Sequence, residues 1–598
     1  MIHTLDLAPV GNCSIASLID RRGRHVWFCA PRFDSDPAFC ALLDDRDPDA
    51  PDARGVWAVD LEGFASCTQA YLRNTPILRT ELVDKNNAAL EIIDFAPRYR
   101  RGARIYRPVA LIRLIRPLRG APSIRIRLRP ASGWGGTICE TTSGSHHIRY
   151  LAGETTLRLT TDCPVSHILS ERTFRLEAPL ALFLGPDEPF DGEVANITSE
   201  MLAGTERYWM NWVRTLALPL EWQDAVIRAA ITLRLCTYEE TGAIIAAFTT
   251  SIPEHADSGR NWDYRYCWVR DAYYVIQALN RLGAADILEN FLGFLRNLVD
   301  RAQGGKVQPV YGVGLEPALT ERIIQTLPGY RGMGPVRAGN QAYEHDQHDV
   351  YGQIVLSNVQ AFFDKRLRRP ATVEDFHALE EVGERAFAVH DQPDAGLWEF
   401  RTRAAVHTYS AVMCWAACDR LANAAIELGL PDRQAYWAGR ATTVREAIES
   451  RAWNAELGRY AASFEGDELD ASLLQMVDLR FLQPDDPKYL ATLAGIEQEL
   501  RRGSYLLRYA QPDDFGAPQT AFNFCTFWFI EALHLAGRTE EARDLFEQML
   551  TRRTHAGLFS EDISFADGEL WGNYPQTYSL VGLINCAVLI SRPWSSVR

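Results

Sequence analysis

The sequence predicts an N-terminal antiparallel β-sandwich followed by an (α/α)6 barrel. Short β-type runs fill the first 200 residues, the apolar spacing changes near Met201, and helical patterns continue to the end of the chain. A chain of 598 residues is too long for one ordinary core, so more than one large domain is the default. We therefore expect a β-sandwich domain over residues 1–200, a connecting helix or linker over 201–218, and an (α/α)6-barrel domain over 219–598.

The predicted strands are runs of alternating or β-branched residues that are separated by turn residues and not by helical patterns. The clearest of them cover residues 56–60, 89–94, 109–116, 124–128 and 156–160. Strands spaced this closely are typical of an antiparallel sandwich. From Glu206 onward the pattern becomes amphipathic and helical, and Arg207 to Leu216 is predicted to be the connecting helix.

The barrel prediction rests on a count of helical stretches, since no short repeat is visible. Twelve stretches indicate six helical hairpins, at 219–238, 270–282, 284–303, 346–365, 371–390, 407–428, 431–452, 468–477, 487–501, 518–536, 538–554 and 575–591. Several are apolar on most sides, as inner helices covered by outer ones would be. The loops with unusual chemistry all precede even-numbered stretches, so we expect them to share one rim of the barrel.

Composition excludes several classes of partner. The net charge of −15 lacks the basic excess that nucleic acid or an anionic membrane requires. No run of eighteen apolar residues occurs, and the first residues lack a basic segment followed by an apolar one, which predicts a cytoplasmic protein. The twelve cysteines form no CxxC pair and are expected to be reduced. Cys414 and Cys418 lie one helical turn apart, but without a matching pair we expect neither a metal site nor a cofactor.

The segment from Ser258 to Asp271 combines four aromatic residues, three arginines and two aspartates in fourteen positions. A sugar offers flat C–H faces that stack on aromatic rings and hydroxyls that need fixed, charged hydrogen-bond partners, and this segment supplies both. The alternative interpretation is a helix start with buried Trp and Tyr. Two isolated carboxylates in similar loops favour the sugar site.

These carboxylates are Glu399 and Glu561. Glu399 stands between Trp398 and Phe400, and apolar neighbours would keep its proton in place near neutral pH, as a general acid needs. Glu561 has more polar neighbours and would stay ionised to activate water. The alternatives are a surface glutamate paired with a nearby arginine for Glu399 and a helix cap or surface carboxylate for Glu561. Two carboxylates in unlike settings form the pair that glycoside hydrolysis requires.

The motifs along the chain resemble those of glycoside hydrolase family 15, the glucoamylase and bacterial trehalase family. The resemblance covers nearly the whole sequence and has a consistent order and spacing. It is carried by the segments 9–18, 27–37, Asn261-Trp-Asp-Tyr-Arg-Tyr-Cys-Trp-Val-Arg-Asp271, Gly396-Leu-Trp-Glu399, 467–474 and Gly572-Asn-Tyr-Pro-Gln-Thr-Tyr-Ser579.

The resemblance implies roles for individual residues. It makes Glu399 the general acid and Glu561 the general base of an inverting hydrolase without a catalytic metal. The pair Arg270 and Asp271 resembles the family's clamp on the hydroxyls of the cleaved glucose. The other implied sugar-binding residues are Tyr264, Leu397, Trp398 and Arg508. The segment from His345 to Asp349 departs from the family at both histidines, for which we expect positions at the substrate rim or on the surface.

The substrate within this family is predicted to be a small sugar. Trehalose fits a cytosolic enzyme best, and the alternatives are glucoamylase or oligosaccharide glucohydrolase activity on α-1,4 or α-1,6 glucosides. A different class of answer is a non-catalytic sugar-binding protein, against which the presence of both carboxylates argues. The oligomeric state is left open by the sequence.

Overall fold

The structure, a computed structural model, describes residues 4–153, 155–302 and 306–597. In the described part of the first 185 residues the chain is mostly β-strand. The strands are β1 (Leu7–Gly11), β2 (Ala16–Asp20), β3 (His25–Cys29), β4 (Pro37–Phe39), β5 (Val56–Leu61), β6 (Phe64–Tyr71), β7 (Leu78–Asp84), β8 (Ala89–Phe95), β9 (Tyr99–Arg101), β10 (Arg104–Tyr106), β11 (Leu111–Arg119), β12 (Ser123–Arg129), β13 (Ala131–Ser132), β14 (Thr137–Ile138), β15 (Glu140–Ser143), β16 (His147–Ala152), β17 (Thr155–Thr161), β18 (Phe174–Arg175) and β19 (Leu180–Gly185).

Two large antiparallel sheets form from these strands within the described residues. One has the order β1-β2-β3-β5-β12-β18 with β4 beside β3, and the other has the order β15-β16-β17-β19-β11-β8-β7-β6. Their facing apolar side chains, such as Leu18 and Ile92, belong to one buried core. This is the predicted β-sandwich, and all five clear strand predictions are confirmed.

Fourteen α-helices occur in the described residues. They are α1 (Val165–Leu169), α2 (Val194–Val213), α3 (Gln223–Leu235), α4 (Val269–Arg281), α5 (Ala285–Ala302), α6 (Asp349–Phe363), α7 (Val373–Val389), α8 (Thr408–Glu427), α9 (Pro431–Arg451), α10 (Gln475–Asp478), α11 (Pro487–Leu500), α12 (Asn523–Leu535), α13 (Thr539–Leu550) and α14 (Thr577–Ile590). The twelve from α3 onward match the twelve predicted stretches.

The prediction that residues 1–200 contain only strands is wrong at two places. Helix α1 interrupts the strands, and α2 begins at Val194, well before the predicted connecting helix at 207–216. Helix α2 buries one face, including Met201 and Trp209, so its apolar spacing is helical from its first turn. The division into domains at 1–200, 201–218 and 219–598 stays a prediction.

The helices from α3 to α14 form a double ring. Neighbouring contacts close the inner ring in the order α4, α6, α8, the α10 position, α12, α14 and back to α4, while the odd-numbered helices pack outside it; at the α10 position the 3-10 turn Ala471–Leu474 makes the contact with α12. The inner helices are therefore the even-numbered ones, as expected for an (α/α)6 barrel. The α10 position is short because a 3-10 turn, Ala471–Leu474, replaces its first half.

Short two- and three-residue strands brace the loops at one end of this double ring. They are β20 (Thr237–Tyr238), β21 (Ala243–Ile244), β22 (Cys267–Trp268), β23 (Val310–Tyr311), β24 (Arg322–Ile324), β25 (Val336–Ala338), β26 (Trp453–Asn454), β27 (Arg459–Tyr460), β28 (Arg501–Arg502), β29 (Tyr505–Leu506), β30 (Ala521–Phe522), β31 (Asp562–Ile563) and β32 (Leu570–Trp571). In the part of the chain that the structure describes, no helix has the length and apolar character needed to cross a membrane.

The sandwich contacts the site end of the barrel through hydrogen bonds. The indole Nε1 of Trp27 donates to the carbonyl of Phe248 at 2.7 Å, and Nη1 of Arg265 donates to the carbonyl of Ser35 at 2.7 Å. Arg265 belongs to the aromatic and charged segment that precedes α4. The β-sandwich thus holds that segment from outside the ring.

Candidate active site

A cavity at the loop end of the barrel is lined by residues that precede inner helices. Its empty space, including the open solvent at its mouth, is about 870 Å³. All eight residues that the sequence predicts for the site line this cavity: Tyr264, Arg270, Asp271, Leu397, Trp398, Glu399, Arg508 and Glu561. The loops therefore converge on one rim as expected.

The Glu399 loop is held in a tight, strained shape. Glu399 has a φ of 60°, which a non-glycine residue rarely adopts, and its N–H donates to the carbonyl of Gly396 at 3.1 Å. Gly396 itself has a φ of 65°, and a Cβ there would lie 2.7 Å from the ring of His407. Such local strain costs of order 1–3 kcal/mol and persists where surrounding contacts fix the backbone. The loop is built to direct the Glu399 side chain into the cavity.

The carboxylate of Glu399 is surrounded by hydrogen-bond donors. Its Oε1 accepts from Trp268 Nε1 at 2.6 Å, from Arg270 Nη2 at 3.1 Å and from Gln347 Nε2 at 3.2 Å. The apolar setting expected from Trp398 and Phe400 is therefore wrong. Sequence neighbours do not enclose this carboxylate, because other loops supply its partners.

Glu561 is positioned by a small sheet. It directly precedes β31, which pairs with β30 and β32, and its N–H donates to the carbonyl of Asn573 at 3.1 Å. Gly572 has a φ of 74°, and a Cβ on it would lie 2.6 Å from Cβ of Glu561. Only glycine leaves room for the glutamate side chain here.

The neighbours of Glu561 are polar as expected, but the expectation that its carboxyl stays ionised is not supported. The residue is 2% exposed, and its Oε1 accepts from the hydroxyl of Tyr264 at 2.6 Å. Burial, reinforced by the negative charge of Glu254, raises the pKa of Glu561 to about 8, against the opposing effects of Tyr264 and Arg508. Its surroundings thus favour the protonated form of Glu561 near neutral pH.

Arg270 and Asp271 lie at the inner end of the cavity and are both buried. Arg270 donates from Nε to the hydroxyl of Tyr578 at 2.9 Å and from Nη1 to Gln347 Oε1 at 2.6 Å, in addition to its contact with Glu399. Burial raises the pKa of Asp271 to about 7, although Arg270 and a hydrogen bond from Tyr578 act in the opposite direction. Arg270 therefore lines the cavity and also donates hydrogen bonds to Glu399 and to its neighbour Gln347.

The remaining predicted residues divide between the two carboxylates. Trp398 donates from Nε1 to Asp470 Oδ2 at 2.9 Å, which explains the motif at 467–474 as the support of this ring. Leu397 is buried on the same wall. Arg508 donates from Nη2 to Glu254 Oε2 at 2.5 Å on the Glu561 side, where Tyr264 also lies.

Several contact residues were missed by the sequence reasoning. Trp268 and Tyr578 lie in quoted motifs, so the signal for them was present, whereas Glu254 follows the segment Thr249-Thr-Ser-Ile-Pro253, which gave none. Arg260 and Asp513 form a bidentate ion pair at 2.7 and 2.5 Å on the cavity wall. Such pairs join loops about 250 residues apart, and only the fold brings them together.

The expected rim or surface position of the histidines holds for one of them. His345 lines the cavity. His348 is buried away from the rim, and its backbone N–H donates to Asp394 Oδ2 at 2.8 Å, so that expectation is wrong for His348.

Among the described residues, the group with metal-ligand atoms close together is Glu254, Glu561 and Asp562, whose candidate atoms lie within 4.8 Å of one another. All three are buried. The guanidinium of Arg508, bonded to Glu254, already supplies a positive charge to this group.

The family model for "Glycosyl hydrolases family 15" matches residues 222–588. The chain belongs to this family. The match covers every helix from α3 to the greater part of α14 and includes both Glu399 and Glu561. This family 15 protein is accordingly a glycoside hydrolase, as the resemblance implied.

Curated relatives extend the similarity to the strand-rich part of this family 15 chain. A trehalase of Thermoplasma volcanium is 30% identical over 97% of this chain and 92% of its own, and a trehalase of Mycolicibacterium smegmatis is 29% identical over 98% and 91%. A bacterial glucoamylase solved with acarbose has a TM-score of 0.69 at 12% identity, over 99% of this chain and 95% of that one. The last comparison confirms the sandwich and barrel fold.

Proposed function

We propose that this family 15 hydrolase is an exo-acting, inverting α-glucosidase whose substrate is trehalose. The observation that carries the proposal is the convergence of Glu399 and Glu561 on one cavity whose inner end is formed by Arg270 and Asp271. A cavity with a buried, polar inner end suits the terminal glucose of a short substrate. The full-length relatives named trehalase favour trehalose over longer glucans.

In the proposed mechanism Glu399 protonates the glycosidic oxygen, while Glu561 removes a proton from the water that attacks the anomeric carbon. The attack inverts that carbon, so one glucose leaves as the β anomer and the other keeps its α configuration. Arg270, Asp271 and Arg508 offer charged partners for the hydroxyls of the cleaved glucose. Glu561 has to lose its proton before each turnover, because burial near Glu254 favours its neutral form.

The reversed assignment, with Glu561 as the acid, has one observation in its favour. Glu561 is the buried carboxyl with the raised pKa, while Glu399 contacts three donors. We assign the acid role to Glu399 because its loop matches the family motif Gly-Leu-Trp-Glu. The two assignments differ in which variant keeps activity on a substrate that needs no protonation.

The test of the substrate is a panel of trehalose, maltose and isomaltose with glucose release as the readout. We expect trehalose to give the highest kcat/KM. Preferential hydrolysis of maltose would replace the proposal with a glucoamylase-type activity, and saturable binding without any glucose release would indicate a sugar-binding protein. Proton NMR of the first products should show α- and β-glucose in equal amounts. A cytoplasmic location stays a prediction.

A further inference from the structure

The two oxygens of Glu399 have very different surroundings. Oε1 accepts from the indole of Trp268, the guanidinium of Arg270 and the amide of Gln347. No hydrogen bond from the described residues reaches Oε2. The side chain is 22% exposed and lines the cavity, so Oε2 is the oxygen that is available to a ligand.

This asymmetry decides which oxygen carries a proton. A carboxyl oxygen offers about two lone-pair sites, and Oε1 already accepts from three donors. A proton on Oε1 would meet three N–H groups and displace at least one of them. The proton of the neutral carboxyl therefore belongs on Oε2.

Gln347 is fixed in the orientation that this arrangement needs. Its Oε1 accepts from Arg270 Nη1 at 2.6 Å, which turns its amide nitrogen toward Glu399. Arg270 is held in turn by Tyr578 at 2.9 Å and by Asp349 at 3.3 Å. Gln347 is 3% exposed, so water does not replace it easily. The amide cannot flip without placing its NH₂ group against a guanidinium.

We propose that Gln347 is a positioning residue for the general acid. It donates to Oε1 of Glu399, completes the set of three donors, and so keeps the transferable proton on Oε2, where the glycosidic oxygen of the substrate can accept it. The inference rests on the proposed role of Glu399 as the acid. The inference also assigns a role to one residue of the segment from His345 to Asp349, for which the sequence analysis predicted no function.

The test compares two substrates whose leaving groups differ in how much they need protonation. Trehalose requires protonation of its leaving oxygen, whereas the fluoride of α-glucosyl fluoride leaves with little protonation. In Gln347→Glu, which is nearly isosteric and keeps an acceptor for Arg270 but loses the N–H donor, we expect kcat on trehalose to fall about 10- to 100-fold. The same variant should lose less than about threefold on α-glucosyl fluoride, since it keeps an acceptor for Arg270 and this substrate has little need of the acid.

Gln347→Leu also frees Arg270, so it should lose some activity on both substrates and more on trehalose, and its melting temperature shows whether it folds. The matched control is Gln360→Leu on α6, where the side chain donates to Asp364 away from the cavity. The control should keep both activities.

A role confined to packing predicts equal losses on the two substrates, and that result would overturn the inference, as would full activity of both Gln347 variants on trehalose. Failure of the proposed function is a separate outcome. It is recognised when Glu399→Gln itself loses trehalose and fluoride hydrolysis to the same extent, because then Glu399 is not the acid.

Discussion

The Glu399 side and the Glu561 side of the cavity hold their carboxylates in opposite ways. Glu399 accepts from three side-chain donors, one of them a guanidinium. Glu561 accepts from one side-chain donor, Tyr264, and lies beside the further carboxylates Glu254 and Asp562. The first arrangement fixes a geometry, while the second changes the affinity for a proton. The difference teaches that burial beside like charges and direct hydrogen bonding are separate means of preparing a carboxyl group for catalysis.

The largest effect is expected when each carboxylate is neutralised. Glu399→Gln and Glu561→Gln should each lower trehalose hydrolysis by about 10²–10⁴-fold, because each change removes one proton-transfer group. On α-glucosyl fluoride the Glu399 variant should keep far more activity than the Glu561 variant. If the Glu561 variant kept more activity on this substrate, Glu561 would be the acid and Glu399 the base. Equal activities of the two variants would show that the two carboxylates do not have different roles.

A pair of single-donor deletions compares the sides directly. Tyr264 and Trp268 each donate to one carboxylate at 2.6 Å. Tyr264→Phe should lower kcat/KM more than Trp268→Phe does, because Glu561 then has no side-chain donor from the described residues, whereas Glu399 keeps two. Similar losses in the two variants would show that the number of donors does not matter. Steady-state kinetics with melting temperatures as a folding control provide the comparison.

Glu254→Gln tests the electrostatic part of the contrast. The carboxylate of Glu254 raises the pKa of Glu561, so its removal should lower that pKa. A base must be ionised to act, and the acidic limb of the kcat/KM profile should therefore move to lower pH. The Gln side chain still offers an oxygen to Arg508, which limits structural change. If the acidic limb did not move, the charge of Glu254 would not contribute to the raised pKa of Glu561, and burial alone would account for it.

The smallest expected effect is on stability. The raised pKa of Glu561 means that the folded state binds a proton more tightly than the unfolded state, whose value is near 4.5. Stability is therefore lost as pH rises from about 4.5 to about 8. Glu561→Gln carries no such charge, so its melting temperature relative to the wild type should rise across this interval. A difference that stays constant with pH would contradict the buried, protonated state of Glu561.

The sequence was sufficient for the fold because apolar spacing reports directly on local structure. The strand at 124–128 and the helix at 407–428 are visible from the residues that they bury. The resemblance also located the loops of eight residues that line one cavity, while the roles of these residues stay predictions. The early start of α2 at Val194 was missed, although its buried residues recur with helical spacing from the first turn.

The surroundings of the two carboxylates were not predictable in the same way. Trp398 and Phe400 flank Glu399 in the chain, yet the partners of its carboxylate come from loops before α4 and α6. The pKa of Glu561 is raised by its burial and by the charge of Glu254, which lies about 300 positions away in the chain. A pKa depends on such three-dimensional neighbours, which a sequence pattern does not specify.

Gly572 limits the substitutions that this site can accept during evolution. Every one-letter change in a glycine codon that alters the amino acid introduces a Cβ, and at this position that atom would lie 2.6 Å from the side chain of Glu561. The positive φ of 74° at Gly572 is a second reason why the same replacements are unfavourable. A lineage that keeps Glu561 therefore has no neutral mutational step at residue 572. We expect a saturation library at this codon to recover glycine alone among active clones.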